Sequence, residues 1–420
     1  MIEIKPIEKL DATIRVPGSK SYSQRALVIA ALAEGPSYLQ NLLISQDTKI
    51  LMDALRLMGI KISHTKDGVL VEGGGGRITR PGKEIFLGNN GTALRIVMGL
   101  ASLGEGTFIL TGSPRLCERP VKPLLEALRG LGVDARSLRG DGRPPVVIEA
   151  SGLPGGSALF GDIESSQYVS SLLLCAPYAR REVSIDLGGH APSLPYVDMT
   201  IETMKAFGAE VHREGPRRFR VELGRTYRGR EYTVEGDLSS ASYFFLAAAL
   251  CRGKVRVESV NARSLQGDVG IIEIMEKLGC SAFRGGDYIE LTGGAMVPGD
   301  FVFNLADMPD MVPTLAVLST RRTGRTTITG VAHLRVKESD RLAALAAEIR
   351  KTSVEARELA DGLVIEGGSP QGAEIETYED HRLAMSFAIL GLAVPGIRVR
   401  DEGCVGKSFP GFWDALKGMY

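Results

Sequence analysis

Several features that would announce a function are missing from these 420 residues. Cysteine is scarce: Cys117, Cys175, Cys251, Cys280 and Cys404 are scattered, odd in number and never spaced as CxxC, so neither a disulfide framework nor a zinc site is indicated. The five histidines never fall in an HxxxH or HExxH spacing. No apolar run reaches the roughly 18 residues a membrane-spanning helix needs. The opening Met1-Ile2-Glu3-Ile4-Lys5 has neither an apolar signal core nor an Arg-rich transit character, so a cytoplasmic location is expected and no membrane partner. Fifty cations balance fifty anions, which argues against a nucleic-acid binder with its usual basic excess. A locally cationic pocket stays open. What remains is an ordinary globular composition in a chain long enough for two domains.

Self-similarity is the strongest positive signal. One helix type is leucine-rich and is followed by Gly and then alternating apolar residues. Its copies are 50–58 before Gly59, 124–131 before Gly132, 201–207 before Gly208 and 271–278 before Gly279. A fifth copy, 342–351, has Thr352-Ser353 in place of the Gly, and a sixth, 412–417, closes the chain. Apolar positions at i, i+3, i+4 and i+7 predict amphipathic helices with Gly as the C-terminal cap. A second type, rich in small residues, interleaves with the first at 24–34, 92–103, 166–178, 239–251, 311–320 and 381–394. Both series recur about every 70 residues, so six duplicated units fill the length. Short alternating runs at 38–42, 68–72, 107–111, 146–149, 182–186 and 254–260 predict strands. Strand–helix–strand order predicts parallel pairing, with the helices of a half running one way and their starts gathered at one end.

Those starts carry unusual residues. Lys20, Arg25, Arg95, Arg119, Lys337, Arg341, Arg382 and Lys407 all fall at or near expected helix N-termini. A cation there opposes the helix dipole unless an anion intervenes. Exposed backbone N–H groups plus cations make a phosphate or carboxylate site. Ser239 and Asp268 read as plain helix caps. Asp310 and Glu338, set among the cations, read equally well as neutralising partners and as a proton acceptor and donor. Two glycine signals are set aside. Gly406-Lys407-Ser408 lacks the first Gly of a P-loop, and 73–76 reads as a turn between strands.

Taken in order, Gly18-Ser19-Lys20-Ser21 with Arg25, the stretch from Gly88-Asn89-Asn90-Gly91-Thr92 to Arg95, Glu118-Arg119-Pro120, Ser165-Ser166-Gln167, the stretch from Arg335 to Arg341, Asp380-His381-Arg382 and Lys407-Ser408-Phe409-Pro410 resemble the 5-enolpyruvylshikimate-3-phosphate (EPSP) synthase family over essentially the whole chain. The resemblance implies an α/β fold of two similar domains, each three βαβαββ repeats forming an inside-out α/β barrel, the enolpyruvyl transferase fold. It implies domains at 18–235 and at 1–17 plus 236–420, which close on substrate. The implied activity moves the enolpyruvyl group of phosphoenolpyruvate to the 5-hydroxyl of shikimate 3-phosphate and releases phosphate, in the route to aromatic amino acids. It implies a monomer with no metal and no cofactor.

By the same resemblance Lys20, Ser21, Arg25, Ser165, Ser166, Gln167, Ser193, Tyr196, Asp310 and Lys337 bind shikimate 3-phosphate. Lys20, Asn89, Gly91, Arg119, Gln167, Arg341, Arg382 and Lys407 bind phosphoenolpyruvate. Asp310 with Lys20 takes the hydroxyl proton, Glu338 protonates the methylene, and His381, Arg382 and Lys407 stabilise charge. The chain departs from the family pattern at His333, where Asn is usual, at Asn90, where Ala or Ser is usual, and at Ile96, where Pro is expected. Two rivals stand beside this reading. UDP-N-acetylglucosamine enolpyruvyl transferase carries a reactive Cys upstream of an Arg, but Cys117 is too close to Arg119 for that motif and a Lys-Asn pair is absent. A non-enzymatic repeat clamp around nucleic acid would spread its cations along helix faces.

Overall fold

The computed structural model describes residues 1–420. All twelve expected helices are present, together with a short further helix, Pro114–Glu118, that has no periodic signal in the sequence. The Gly stop signals work as caps: Gly59, Gly132, Gly208 and Gly279 all take positive φ, from 85° to 107°. In the fifth copy Ser353 takes that conformation, at φ 63°. The turn geometry is therefore kept even where the sequence has no Gly to suit it.

The strands form five four-stranded sheets and one three-stranded sheet. A representative sheet pairs Gly156–Phe160 parallel with Val183–Leu187, which pairs antiparallel with Arg218–Val221, itself antiparallel to Val211–Arg213. Its helices Gln167–Cys175 and Pro195–Ala206 complete a βαβαββ repeat. Parallel pairing thus holds for the first two strands of a repeat, while the last two form an antiparallel hairpin. A hairpin needs only a short turn, whereas a parallel pair needs the helical crossover.

The chain divides into two compact units, residues 20–234 and residues 1–19 with 235–420. In the first unit Glu231–Thr233, from its end, pairs parallel with Glu34–Gln40, from its beginning, and so completes the first repeat. In the second, Asp11–Arg15 pairs parallel with Lys254–Glu258. The three-stranded sheet joins Ile2–Glu3 to Arg398–Val399 and Glu374–Ile375. Where the chain leaves and re-enters this unit, Ser19 N–H donates to the Glu235 carbonyl at 2.7 Å and Asp237 N–H to the Pro17 carbonyl at 2.9 Å.

Each unit has its own apolar core. The small-residue helices Lys20–Leu32, Gly91–Ala101 and Gln167–Cys175 are buried on nearly every side, as are Leu238–Cys251, Val312–Ser319 and His381–Gly391. Their composition follows from this: a Cβ on Gly99 would lie 2.6 Å from Ser171 Oγ of the neighbouring helix, so Gly permits the close approach. The leucine-rich helices bury one stripe only, as Leu51, Met52, Ala54 and Leu55 show in Gln46–Leu57. The run 73–76 ends a strand and turns, with Gly75 and Gly76 at positive φ. Gly406 and Lys407 lie in the 3₁₀ turn Glu402–Lys407 rather than between a strand and a helix.

Candidate active site

In the unit of residues 20–234 the three buried helices start close together. Lys20 opens the first, and its Nζ lies 3.1 Å from Asp47 Oδ2. Asn90 caps the second by accepting from Ala93 N–H at 2.9 Å, and its amide donates to Gln24 Oε1 at 3.2 Å and the Asp47 carbonyl at 2.9 Å. Asn90 therefore ties three elements together. Asn89 lies just before this cap, partly exposed.

Gly91 begins the helix, and the guanidinium of Arg119 lies directly over it: an added Cβ would sit 2.6 Å from Arg119 Cζ. Arg119 is buried and follows the short helix Pro114–Glu118. The third helix begins at Gln167, with Ser165 Oγ accepting from Gln167 N–H at 3.3 Å and both Ser165 and Ser166 buried.

Arg25 is the most deeply buried cation of this group. Its nitrogens donate to Thr200 Oγ1 at 2.7 Å, the Ser21 carbonyl at 2.9 Å, the Tyr196 carbonyl at 3.0 Å and Ser170 Oγ at 3.3 Å. All of these acceptors are neutral. Burial pulls its pKa down to about 10, partly offset by Tyr196 and Tyr22. A desolvated cation held only by neutral groups favours an incoming anion. Ser193, left-handed at φ 63°, places Tyr196 at the start of Pro195–Ala206.

Arg95 turns out to be a brace. It donates to Gln167 Oε1 at 2.7 Å and to the Pro120 carbonyl at 3.4 Å, and it stacks over Tyr168. Gln167 Nε2 donates in turn to Thr92 Oγ1 at 2.8 Å.

In the unit of residues 1–19 and 235–420 the organising group is Arg341, the first residue of Arg341–Lys351, at 1% exposure. Its Nε lies 2.9 Å from Asp380 Oδ2, its NH1 3.1 Å from Asp310 Oδ1 and its NH2 3.0 Å from Glu338 Oε2. Burial opposes its charge, but these three carboxylates outweigh burial and hold its pKa above the ordinary value. Asp310, on the 3₁₀ turn Pro309–Met311, also reaches Arg382 NH2 at 2.6 Å. Arg382 NH1 donates to Tyr243 Oη at 3.3 Å. Lys407 Nζ is 4.0 Å from the other oxygen of Glu338.

Asp380 caps His381–Gly391 by accepting from Arg382 N–H at 3.0 Å and takes the Ser339 hydroxyl at 3.2 Å. His381 is fully buried, with Nδ1 4.0 Å from Asp380 Oδ1. Lys337 follows the 3₁₀ turn Ala332–Val336, which holds the buried His333.

Arg119, Lys337 and Lys407 lie near helix starts but not on them: Arg119 and Lys337 directly follow short helical segments, and Lys407 ends one. One expectation needs correction. Ser239 and Asp268 are not caps. Asp237 caps Leu238–Cys251, accepting from Ser240 N–H at 2.7 Å, and the Ser239 hydroxyl instead donates to the buried Asp268. Sequence reasoning also missed Asp47, the partner of Lys20, and the anchoring part played by Asp380. Their one signal was an acid at a helix start, Asp47 in the first turn of one helix and Asp380 capping another. Cys117 directs its thiol at the Gly112 carbonyl, 3.6 Å away.

Each unit thus gathers cations near its helix starts, Arg25 held by neutral acceptors in one and Arg341 by three carboxylates in the other. A sequence model of the family described as EPSP synthase (3-phosphoshikimate 1-carboxyvinyltransferase) matches residues 4–416. The chain belongs to this family. It is 40% identical over 423 residues to the 3-phosphoshikimate 1-carboxyvinyltransferase of Sulfurovum sp. (strain NBC37-1), covering 100% of this chain and 99% of the relative. It is 45% identical over 405 residues to that of Methanothermobacter thermautotrophicus, covering 96% and 94%. Among solved structures, EPSP synthase from Acinetobacter baumannii superposes with a TM-score of 0.82 at 29% identity, over 99% of this chain and 97% of the other. The EPSP synthase family is a family of transferases, and its two-domain enolpyruvyl transferase fold is the one found here. No helix is long and apolar enough to cross a membrane.

Proposed function

We propose that this chain transfers the enolpyruvyl group of phosphoenolpyruvate to the 5-hydroxyl of shikimate 3-phosphate and releases inorganic phosphate. The observation that carries the reading is the pair of carboxylates, Asp310 and Glu338, held at fixed separation by the one buried guanidinium of Arg341. Two acids fixed in this way suit a reaction in which one proton leaves an oxygen and another reaches a carbon.

In the addition step the 5-oxygen bonds to C2 of phosphoenolpyruvate while Asp310, with Lys20 supplying positive charge, accepts the hydroxyl proton. Glu338 gives its proton to the methylene carbon, which becomes a methyl group in a tetrahedral ketal phosphate. In the elimination step Glu338 recovers a proton from that methyl group, the C2–O bond to phosphate breaks, and the proton on Asp310 leaves with the phosphate. Arg382, Lys407 and His381 stabilise the charge on the departing group.

Arg25, Ser21, Ser165, Ser166, Gln167, Ser193, Tyr196 and Lys337 hold shikimate 3-phosphate in this reading. Asn89, Gly91, Arg119, Arg341, Arg382 and Lys407 hold phosphoenolpyruvate, with Gln167 and Lys20 touching both. The desolvated Arg25 supports the first assignment and the helix start at Gly91 beneath the Arg119 guanidinium supports the second. The same reading makes the protein a cytoplasmic monomer, which size-exclusion chromatography with light scattering checks.

The deciding experiment measures phosphate release with each substrate alone and with both. Release is expected only with shikimate 3-phosphate and phosphoenolpyruvate together. Release with UDP-N-acetylglucosamine in place of shikimate 3-phosphate would overturn the assignment.

A further inference from the structure

Asp268 has no place in the mechanism just described, yet it is one of the most deeply buried acids in its unit, at 3% exposure. It lies on the 3₁₀ turn Gly267–Gly270. Gln266, just before it, anchors that turn: its Oε1 accepts from Leu238 N–H at 3.1 Å and its Nε2 donates to the Gly236 carbonyl at 2.8 Å and Glu235 Oε1 at 2.6 Å. One Asp268 oxygen takes the Ser239 hydroxyl, and the other is buried without a hydrogen-bond partner. The same turn packs on the loop that carries Asp310, since a Cβ on Gly270 would lie 2.6 Å from Met308 Cε.

A buried carboxylate with an unsatisfied oxygen is costly, and the ordinary remedy is to keep its proton. Burial is the main cause that lifts Asp268 to about 7, and the negative charge of Asp310 lifts it further. Arg382 and the Ser239 hydrogen bond act the other way, and Asp237 adds a smaller upward push. Tyr243, on the helix that begins beside Asp268, bonds to Arg382. The other acids on the adjoining segments are the half-buried Glu235, held by Gln266 and Ser264, and the exposed Asp307 and Glu273. Interaction between two acids is reciprocal: whatever Asp310 does to Asp268, Asp268 does to Asp310.

We propose that Asp268 is a positioning residue for the proton transfer assigned to Asp310, its buried carboxyl setting the basicity of Asp310 within the shared field of Arg382. The proposal rests on the enolpyruvyl-transfer reading. When Asp268 is protonated it places no negative charge beside Asp310, and Asp310 is the weaker base for it. When Asp268 ionises, its negative charge strengthens Asp310 as a base. Turnover then rises through the neutral range as Asp268 loses its proton, although Asp268 touches no substrate.

The test compares pH profiles of the full-length protein with those of Asp268→Asn, which keeps the shape of the neutral acid. The wild-type kcat should rise through an ionisation near neutrality. The variant should lack that rise, with kcat roughly fivefold lower above pH 8, similar below pH 6, and KM for both substrates unchanged. Ser239→Ala keeps both acids but removes a hydrogen bond to the ionised form, so it should move the inflection to higher pH. A carboxyl ¹³C titration, with Asp310 assigned by Asp310→Asn, reads the coupling without turnover. The Asp310 signal should inflect where Asp268 titrates, and Asp268→Asn should remove that inflection. An Asp310 signal indifferent to Asp268→Asn overturns the proposal even if the enzyme is active. A coupled titration in a protein that releases no phosphate upholds the pairing and sinks the functional reading instead.

Discussion

Gly91→Ala isolates one contact of the candidate site with little else disturbed. The new Cβ would lie 2.6 Å from Arg119 Cζ and 2.7 Å from both of its terminal nitrogens. Ordinary contact begins near about 3.5 Å, so the guanidinium must withdraw by about 1 Å. The clash is with the far end of a flexible side chain, and Gly91 is an ordinary helical residue, so the fold accepts the change. Ala is indeed the better helix former by about 1 kcal/mol. Stability should therefore stay level or rise slightly.

If Arg119 holds phosphoenolpyruvate, its displacement removes or lengthens a charge-assisted hydrogen bond worth about 1.5–3 kcal/mol. That corresponds to a rise in KM for phosphoenolpyruvate of roughly 10- to 100-fold, at about 1.4 kcal/mol per decade. Initial rates of phosphate release with phosphoenolpyruvate varied and shikimate 3-phosphate saturating give the number, and a thermal melt controls for folding. Arg119→Ala in the Gly91→Ala background should add little, because both changes remove the same contact. A KM for phosphoenolpyruvate within twofold of the parent, or an equal rise in KM for shikimate 3-phosphate, would refute the reasoning.

Asp310→Asn and Glu338→Gln should each lower kcat by 10²-fold or more while the chain stays folded, and near-normal turnover in both would remove the acid–base assignment. Ser353→Gly should stabilise the protein by about 1 kcal/mol in denaturant unfolding, since it relieves a non-Gly residue at φ 63° in a position where Gly serves the other copies. Asp268→Asn should change the pH dependence of stability. A carboxyl raised to about 7 in the folded state holds its proton more tightly there than when unfolded, so its stabilising contribution is complete below the unfolded value near 4 and is lost as pH rises towards 7. Relative to wild type, the variant should gain a few kcal/mol between pH 4 and pH 8 in urea melts, because each tenfold difference in proton affinity is worth about 1.4 kcal/mol. Tyr378→Phe should cost about 1–3 kcal/mol, because it deprives the buried Glu348 of a hydrogen bond of 2.7 Å that also holds the left-handed pair Tyr378–Glu379.

Much of the architecture was legible because the duplication made each unit a check on the others. Helices recur wherever the 3.6-residue pattern recurs, and the Gly stops take the left-handed φ they imply. Helix starts were legible as polar clusters, but not which cation faces a ligand and which braces the scaffold. Arg95 and Arg119 look alike in sequence, four residues into one helix and three before the next. Only the fold shows Arg95 committed to Gln167 and Pro120 and Arg119 lying over a bare glycine. Asp268 was misread for a similar reason. A Ser or Asp near a helix start is usually a cap, and burial of the 267–270 turn against a loop 40 residues away leaves no periodic trace.

The sharing of Arg341 has a consequence for how the acids act. A buried ion pair is weak evidence for stability, since desolvation offsets much of the attraction. Three carboxylates around one buried guanidinium are therefore hard to justify by folding alone. They do make the protonation states of Asp310 and Glu338 interdependent: a proton taken up by one leaves Arg341 more strongly committed to the other, and so favours its ionised form. Asp380, fixed at a helix cap and fully buried, anchors Arg341 through both Nε and NH2. In an addition that moves one proton onto an acid and another off its neighbour, that linkage couples the two transfers. The charge around Arg341 then stays constant while the substrate changes, which is the condition under which a preorganised site lowers the barrier without reorganising itself.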